Sequence, residues 1–509
     1  MGTNTILSFI IIIICFAFPN AAHTDPSSLC TQTPYPQLCE SLFVAYNPQN
    51  SSTVRNLALG ATLARAQSAH DHISAMGPTP FPSNQLANLA WADCVNLYED
   101  TLDKVRRSAA ASAATNDAQT WLSAAVTNHQ TCRNGFTDFQ LPFNFHPFQD
   151  IATDLLKHIS NSLAIINALA LSSPPAVAGR RSLAVGFPSW VSRSDRRLLR
   201  PNVAKSVADI VVAKDGSGNY DTVSQGLAAA VALSDGSSRF VIYVKRGVYE
   251  ENVVVTNSMN NFMVVGDGID ATIITGNRSV GDGSTTFHSA TFAVIGNGFM
   301  AREITFENTA GPENHQAVAL RSGSDFSVFY RCSFKGYQDT LYVYSQRQFY
   351  GHCDIYGTVD FIFGDAIAVV QNCTIYVRKP MTSQKNFVTA QGRSDPNQNT
   401  GIVILNSHVT ATSDLGPVQG SFPTYLGRPW EKYSRTVFLM CTLDGLIDPD
   451  GWFPMVGNYA QTLYYGEYMN SGDGAQISGR VKWPGYHVIT SAIVAQKLSV
   501  ADFLACITD

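Results

Sequence analysis

Short β-rich segments recur at a nearly constant step in the second half of this 509-residue chain. The segments "YRCSF", "YGHCDIY" and "VQNCTIYV" place Cys332, Cys353 and Cys373 at matching points, 21 and 20 residues apart. Ser407, in "ILNSHVT", continues the series after a longer insertion. A step of about 20 residues in strand-forming sequence is typical of a solenoid. We therefore predict an all-β right-handed parallel β-helix over residues 201–509, with a β-sandwich as the alternative.

The preceding part of the chain follows a helical pattern instead. Apolar residues recur at helical spacing in four stretches, which begin at Val54, Gln85, Ala118 and Asp150. Four helices of this length with short connections favour an antiparallel bundle. The sequence thus predicts an all-α four-helix bundle over residues 23–170, ahead of the β-helix.

The N-terminus has the pattern of a targeting segment. The apolar run "ILSFIIIIICFAFP" is followed by small residues, which predicts a secretory signal peptide over residues 1–22. The alternative is a membrane anchor, but the run is short for a bilayer span. We therefore expect a secreted, extracellular protein with no membrane partner.

The number and spacing of the cysteines indicate disulfides of a secreted protein rather than ligands of a metal ion. Nine cysteines follow the signal segment, and no CxxC or CxxH spacing occurs among them, so we expect no metal site. Local spacing predicts two disulfides in the bundle. Cys30 and Cys39 would close an N-terminal hairpin, and Cys94 and Cys132 would join the second helix to the third.

Residues 171–200 change composition and predict a linker. The stretch is rich in Pro, Gly and Ser and contains two dibasic pairs, Arg180–Arg181 and Arg196–Arg197. Dibasic pairs in an exposed linker of a secreted protein are plausible cleavage sites. We therefore expect a processing protease to cut near Arg196–Leu199, in "RRLL".

Two carboxylates occupy equivalent positions in the repeat. Asp339 lies seven residues after Cys332, and Asp360 lies seven residues after Cys353. Equivalent positions of neighbouring coils stack about 4.8 Å apart, so the two side chains should meet. The same stacking predicts a third disulfide, Cys332–Cys353.

A close pair of carboxylates among apolar neighbours has a chemical consequence. The two groups cannot both ionise easily, so one pKa should rise while the other stays low. Such a pair supplies an acid and a nucleophile or base at one pH. The alternatives are a surface or metal-binding pair, or two unrelated turn residues, since Asp is common in turns.

Five motifs in this order resemble those of plant pectin methylesterases. They are "GVYEE" (247–251), "QAVAL" (316–320), "GYQDTLY" (336–342), "GTVDFIFG" (357–364) and "YLGRPW" (425–430). The helical part is similar to the pectin methylesterase inhibitor domain, through its four cysteines and "WADCVNLYEDTLDKV". The whole chain resembles the plant pro-enzyme, in which an inhibitor-like region precedes the esterase.

The resemblance implies roles for seven residues. Asp360 would attack the ester carbonyl and Asp339 would be the acid and then the base. Gln338 and Gln316 would stabilise the oxyanion. The residues implied in positioning the nucleophile or contacting sugar are Arg428, Trp430 and Thr286. The implied partners are methyl-esterified homogalacturonan in the plant cell wall, the chain's own inhibitor-like region and free inhibitor proteins, with no cofactor.

Other functions on the same fold remain open from the sequence. A polysaccharide lyase would need a calcium-binding carboxylate cluster, a polygalacturonase would use paired carboxylates in other motifs, and a non-catalytic wall-binding protein would lack one aspartate. The formal net charge of −5 gives no basic excess for nucleic acid and little bulk attraction to an anionic polysaccharide. Sequons at Asn50, Asn277 and Asn372 predict a glycoprotein, although Asn372 is expected in a core strand.

Overall fold

The computed structural model describes residues 29–46, 50–110, 112–142, 148–172, 186–236 and 238–504. The predicted signal peptide, the Arg180–Arg181 pair and Cys506 lie outside these ranges. Within them, no helix is both long enough and apolar enough to cross a membrane.

The N-terminal part is a helical bundle, as predicted. One short helix precedes four long ones: α1 (Pro36–Tyr46), α2 (Ser51–Met76), α3 (Gln85–Ala109), α4 (Thr115–Asp138) and α5 (Phe148–Ser172). The side chains of Asn50 and Asn84 cap the N-termini of α2 and α3 by accepting backbone N–H groups. Aromatic side chains of Trp91, Tyr98 and Phe148 meet edge to face in the bundle core.

Both disulfides predicted in the bundle are present. Cys30 is bonded to Cys39 near the N-terminus. Cys94 on α3 is bonded to Cys132 on α4, so this bond ties the second long helix to the third. Each bond closes a loop in the unfolded chain and thereby stabilises the bundle.

The described residues from Ile210 onward form a parallel β-helix of three sheets, and its strands are numbered here in chain order. Sheet A has eleven strands in the spatial order β1 (Ile210–Val212), β2 (Phe240–Val244), β5 (Phe262–Val265), β8 (Met300–Arg302), β11 (Ser327–Tyr330), β14 (Arg347–Gly351), β17 (Ile367–Gln371), β20 (Gly401–Leu405), β23 (Arg435–Leu439), β25 (Tyr464–Tyr468) and β26 (Tyr486–Val488). Sheet B has eight strands: β3 (Gly247–Glu250), β6 (Thr272–Gly276), β9 (Thr305–Asn308), β12 (Ser333–Lys335), β15 (Asp354–Gly357), β18 (Thr374–Val377), β21 (His408–Ala411) and β24 (Thr442–Leu443). Sheet C has seven strands: β4 (Val253–Val255), β7 (Phe292–Val294), β10 (Leu320–Ser322), β13 (Leu341–Val343), β16 (Ile362–Gly364), β19 (Asn386–Gln391) and β22 (Thr424–Gly427).

Short helices connect and close the β-helix. They are α6 (Arg193–Leu198), α7 (Val203–Ser206), α8 (Val223–Leu233), α9 (Ala492–Lys497) and α10 (Val500–Phe503), with 3-10 turns at Pro312–Asn314, Gly416–Ser421, Tyr459–Gln461 and Asp473–Ala475. Helix α8 covers the first coils, where Val223 and Leu227 are buried against the interior. A capped end hides the apolar core that an open coil would expose.

Each coil visits the three sheets in turn and points alternate side chains inward. In sheet C, Leu320, Leu341 and Ile362 stack in register and are fully buried inside the β-helix. The middle residues of the same strands point the other way, because strand side chains alternate. Sheet C therefore offers a regular row of outward side chains, one per coil.

The predicted Cys332–Cys353 disulfide is wrong. Both cysteines are free and buried, as are Cys373 and Cys441. The backbone N–H of Cys332 donates to Cys353 Sγ at 3.5 Å, and that of Cys353 donates to Cys373 Sγ at 3.2 Å. Stacked coils hold equivalent side chains parallel at about 4.8 Å, whereas a disulfide needs Cβ atoms about 3.8 Å apart. Burial raises the pKa of the Cys332 and Cys353 thiols well above the usual range.

The repeat itself is confirmed. Ser407 occupies the next place in the cysteine ladder, since its hydroxyl accepts the N–H of Cys373 at 3.1 Å. Asn372 does not lie in a core strand as expected. It follows β17 in a left-handed turn with φ of 54°, and its Oδ1 accepts from Asn406 at 2.7 Å.

The described end of the predicted linker is packed rather than free. Phe187 lies against Tyr330 and Phe349, with ring centroids 5.2 and 5.8 Å apart, and Leu199 is buried. Asp195 forms an ion pair with Arg239. Residues 186–200 therefore form a segment docked on the outer face of sheet A, and composition alone did not reveal its apolar anchors.

Candidate active site

The geometry that repeats from coil to coil brings the two predicted aspartates into one cavity on the outer face of sheet C. Its volume is about 240 Å³. Its β-helix lining is Thr286, Phe287, Gln316, Gln338, Asp339, Tyr342, Asp360, Phe363, Ala390, Arg428, Trp430 and Met455. All seven residues that the sequence singled out for the site are in this set.

Asp339 and Asp360 occupy the same position on adjacent coils. Each precedes its strand by two residues, Asp339 before β13 and Asp360 before β16. Both have left-handed backbone angles, with φ of 62° and 52°. Asp tolerates this conformation better than most residues, yet it is still uncommon and concentrates at functional sites. The backbone thus turns both carboxylates out of the coil and toward sheet C.

Asp360 is held by a two-point contact with an arginine. Arg428 Nε lies 2.8 Å from Oδ1 of Asp360, and Arg428 Nη2 lies 2.6 Å from Oδ2. Burial alone would lower the Arg428 pKa, but the hydrogen bonds and charge of Asp360 raise it. A planar guanidinium that binds both oxygens fixes the plane and orientation of the carboxylate.

Asp339 has the opposite environment. It is 7% exposed and makes no side-chain hydrogen bond within the described part of the chain. Burial raises its pKa well above the usual range, and the charges of Asp360 and Asp138 raise it further, against the effect of Arg428. Asp339 therefore carries a proton at a pH where an ordinary aspartate is ionised.

Two amide side chains complete the polar wall. Gln316 and Gln338 line the cavity on adjacent coils, linked by the backbone N–H of Ala317, which donates to the Gln338 carbonyl at 3.2 Å. Neither side chain has a hydrogen-bond partner among the described residues. Their N–H groups are therefore available to a ligand oxygen in the cavity.

Aromatic rings form the apolar wall. Tyr342 and Phe363 are stacked with centroids 4.2 Å apart, and Trp430 lies 5.9 Å from Phe363 at a tilt. Trp430 also passes close to Gly392, where a Cβ would lie 2.9 Å from the indole ring. Sequence reasoning missed Met455, Ala390 and Phe287, which no motif marks as part of the cavity.

The bundle reaches the same cavity from outside. Helix α4 contributes Thr131, Asn134, Gly135, Thr137 and Asp138 to its lining. The backbone N–H of Thr286 donates to Asp138 Oδ2 at 2.7 Å. Burial raises the pKa of Asp138, although its bonds with Thr286 act against that rise. A carboxylate of the bundle thus lies in the cavity that holds Asp339.

Further polar contacts fasten α4 along sheet C. Thr127 Oγ1 donates to Asp365 at 2.7 Å, and Tyr344 donates to Asn128 at 2.6 Å. Gln130 Nε2 donates to Glu431 at 2.5 Å.

Burial leaves several of these interface acids with raised pKa values. The pKa of Asp365 rises to about 6. Burial and the charge of Asp365 raise that of Glu431 to about 7. The interface consequently favours protonated carboxyl groups.

Comparison with known proteins identifies both parts. Residues 209–506 match the family model "Pectinesterase", and residues 24–165 match "Plant invertase/pectin methylesterase inhibitor". "Probable pectinesterase/pectinesterase inhibitor 6" of Arabidopsis thaliana is 50% identical, over 93% of this chain and 90% of its own. "Pectinesterase 2" of Citrus sinensis is also 50% identical, over 94% of this chain and 92% of its own.

A solved structure agrees with the β-helix. The pectin methylesterase from carrot superimposes with a TM-score of 0.58 and 59% identity, covering 58% of this chain and 93% of its own. The carrot chain is thus about as long as the esterase region and forms that fold without a bundle of this size. The chain described here belongs to the pectinesterase family and carries an inhibitor-like region ahead of its esterase.

Proposed function

We propose that Asp360 is the nucleophile, and Asp339 the acid and base, with which this pectinesterase hydrolyses the methyl esters of pectin. The observation that carries this assignment is the contrast between two equivalent aspartates. Asp360 is fixed by Arg428 in a bidentate contact, whereas Asp339 is buried without a partner and has a raised pKa. One carboxylate is ready to attack, and its neighbour holds a proton to give away.

The first half of the reaction forms an acyl-enzyme. A carboxylate oxygen of Asp360 bonds to the ester carbonyl carbon, and the carbonyl electrons move onto oxygen. The amides of Gln316 and Gln338 donate to that oxyanion. Collapse breaks the bond to the methoxy group, which leaves as methanol with the proton of Asp339. The product is a mixed anhydride between Asp360 and the sugar carboxyl group.

The second half restores the enzyme. Asp339, now a carboxylate, takes a proton from water while the water oxygen attacks the sugar acyl carbon. The bond to Asp360 breaks, and a free galacturonate carboxylate leaves. Each group returns to its starting protonation state after release of the product proton, so no cofactor enters the balance.

The test separates this function from the alternatives on the same fold. Methanol is measured from methyl-esterified homogalacturonan without added calcium, and polymer length is followed in the same sample. We expect methanol to appear while chain length is unchanged. Chain shortening with no methanol would instead indicate a lyase or a hydrolase, and neither product would indicate a non-catalytic binding protein.

We also propose that the bundle inhibits the esterase while it is docked. Helix α4 places Asp138 in the cavity and covers sheet C with the contacts to Asp365, Tyr344 and Glu431. A substrate chain cannot occupy space that the helix fills. The full chain should therefore release methanol at least tenfold more slowly than residues 201–509 alone, and equal rates would refute inhibition.

We further propose that the protein is secreted to the cell wall and cut near Arg196–Leu199. Arg196 and Arg197 are exposed, but they lie in helix α6, whose Leu199 end is buried. A protease binds an extended strand, so α6 must open before cleavage. N-terminal sequencing of wall protein tests this, because only full-length chains there would contradict cutting. Free inhibitor proteins that resemble the bundle would compete for the same cavity.

A further inference from the structure

The column of residues that holds the two aspartates on successive coils continues with two aromatic residues. Asp360 lies two residues before Ile362, and Phe387 lies two residues before Thr389, with which Ile362 is in register. Tyr425 is in register with Phe387 on the coil after that. The side chain that follows Asp360 at this position of the β-helix is therefore a phenyl ring.

Arg428 has to reach across the coil of Phe387 to bind Asp360. It directly follows β22, whereas Asp360 precedes β16, and β19 lies between those two strands in sheet C. Two steps of about 4.8 Å separate the two outer coils. The Arg428 side chain therefore crosses the β19 coil, and the residue that covers this coil decides where the guanidinium can lie.

The group that meets the guanidinium on this coil is the Phe387 ring. The central carbon of the Arg428 guanidinium lies 4.2 Å from the ring centroid. From this position, Nε and Nη2 of Arg428 donate to the two oxygens of Asp360 at 2.8 and 2.6 Å. A cation is attracted to the negative face of an aromatic ring, and more strongly where water is excluded. The ring thus holds the guanidinium where its N–H groups meet the carboxylate.

Phe387 is fixed by neighbouring rings and lies outside the substrate cavity. It is 4% exposed, and its ring centroid lies 5.7 Å from that of Tyr425 and 5.4 Å from that of Phe453. Phe387 is not one of the described residues that line the cavity with Asp360 and Arg428. We therefore expect any effect of this ring on the reaction to act through Arg428.

We propose that Phe387 is a positioning residue, whose ring holds the Arg428 guanidinium in the place where it binds both oxygens of the nucleophile Asp360. The inference rests on the proposed function, in which Arg428 orients Asp360 for attack on the ester. An arginine side chain has many rotamers, and contact with the ring restricts it to those that reach the carboxylate. The motif "YLGRPW" marks Arg428 in the sequence, but no motif marks Phe387.

The first test measures kcat and KM of residues 201–509 on methyl-esterified homogalacturonan. The carrot enzyme, which is about as long as this region, folds without a bundle of this size. Phe387→Leu should lower kcat about tenfold, as expected for the loss of one partly buried cation–π contact, and should leave KM within about twofold. Phe387→Tyr keeps the ring and should keep kcat within about threefold of normal. Phe453→Leu is the matched control, because it removes a neighbouring ring that packs on Phe387, and it should change kcat less than about twofold.

The second test is a double-mutant cycle with Arg428→Ala. Since the ring acts by holding Arg428, Phe387→Leu should change kcat less than about twofold once the arginine is absent. An equal loss in both backgrounds, or a normal kcat in folded Phe387→Leu, overturns the inference. A normal kcat in Arg428→Ala would instead refute the role of Arg428 in the proposed function, and the inference with it. Circular dichroism verifies folding, and Phe387→Met takes the place of Phe387→Leu if that variant does not fold.

The third measurement needs no turnover. Exchange of the Arg428 Nε–H proton with water is followed by NMR in residues 201–509, and Arg428→Ala identifies its signal. Phe387→Leu should speed this exchange at least about fivefold, because a guanidinium that leaves Asp360 exposes its N–H groups to water. Phe453→Leu should leave the exchange rate within about twofold. Equal exchange in Phe387→Leu and the unsubstituted region would also overturn the inference.

Discussion

Replacing Gln130 by glutamate should loosen the bundle in a pH-dependent way. In the docked form, Gln130 Nε2 donates to Glu431 at 2.5 Å, and the pKa of Glu431 is about 7 because of burial and the charge of Asp365. Gln130→Glu keeps the shape but turns the donor into a second acid. The substitution therefore tests the charge at this contact with little change in packing.

The loss of docking free energy follows from the lost hydrogen bond and the new repulsion between two carboxylates. A hydrogen bond to a charged group contributes about 1.5–3 kcal/mol. Two carboxylates about 4 Å apart repel by about 4 kcal/mol near a protein surface. Protonation of one acid relieves part of that repulsion, so we expect a net loss of about 3 kcal/mol of docking free energy at pH 7.5. This loss lowers the docking equilibrium constant more than 100-fold. At pH 5 the two acids share a proton and the cost is small.

The assay compares methanol release by the full chain with that by residues 201–509 at the same pH, which removes the pH dependence of catalysis. We expect Gln130→Glu to bring the ratio of the two rates close to one at pH 7.5 and to leave it near the unsubstituted value at pH 5. Gln67→Glu is the control, because Gln67 is only half-buried and its amide donates to Asp71 within the bundle, away from the esterase. An unchanged ratio at pH 7.5 would show that this contact does not hold the bundle.

Three further outcomes follow from the same contacts. Inhibition of the unsubstituted full chain should weaken as pH rises from about 4 to 7. In the docked form the pKa of Asp93 on α3 is raised to about 6 and that of Glu431 to about 7, so the docked form loses stability as these two groups ionise. A rate ratio that does not change with pH would contradict this. Arg428→Ala should lower kcat at least 100-fold, because Asp360 loses both of its hydrogen bonds to Arg428. Circular dichroism should show that the β-helix stays folded. A rate within threefold of normal would exclude a role of Arg428 in positioning Asp360. Alkylation of the unreduced, unfolded chain should label Cys332 and Cys353, whereas labelling only after reduction would restore the disulfide.

The repeat made the fold and the catalytic pair predictable from sequence. A step of 20 or 21 residues fixes both the coil and the position of Asp339 above Asp360, because one coil is one repeat. The same step misled the disulfide prediction. It places Cys332 and Cys353 at an acceptable Cα separation but cannot show that parallel coils keep their side chains parallel.

Contacts between distant segments could not be read from spacing. Asp138 lies in the active-site cavity only because helix α4 packs across sheet C. The docked residues near Phe187 look like a linker in composition, since their partners Tyr330 and Phe349 lie more than a hundred residues further along the chain. Docking of this kind depends on three-dimensional fit rather than on local pattern.

The central claim is that two equivalent aspartates divide the chemistry between them, and Asp360→Asn tests it most directly. The esterase region carrying this substitution is given methyl-esterified homogalacturonan, and methanol is followed over time. An amide is a poor nucleophile, so we predict no methanol above background, while binding of an unesterified galacturonate hexamer stays within about threefold of normal. Methanol release near the normal rate would mean that the paired carboxylates are structural and that the reaction uses another nucleophile.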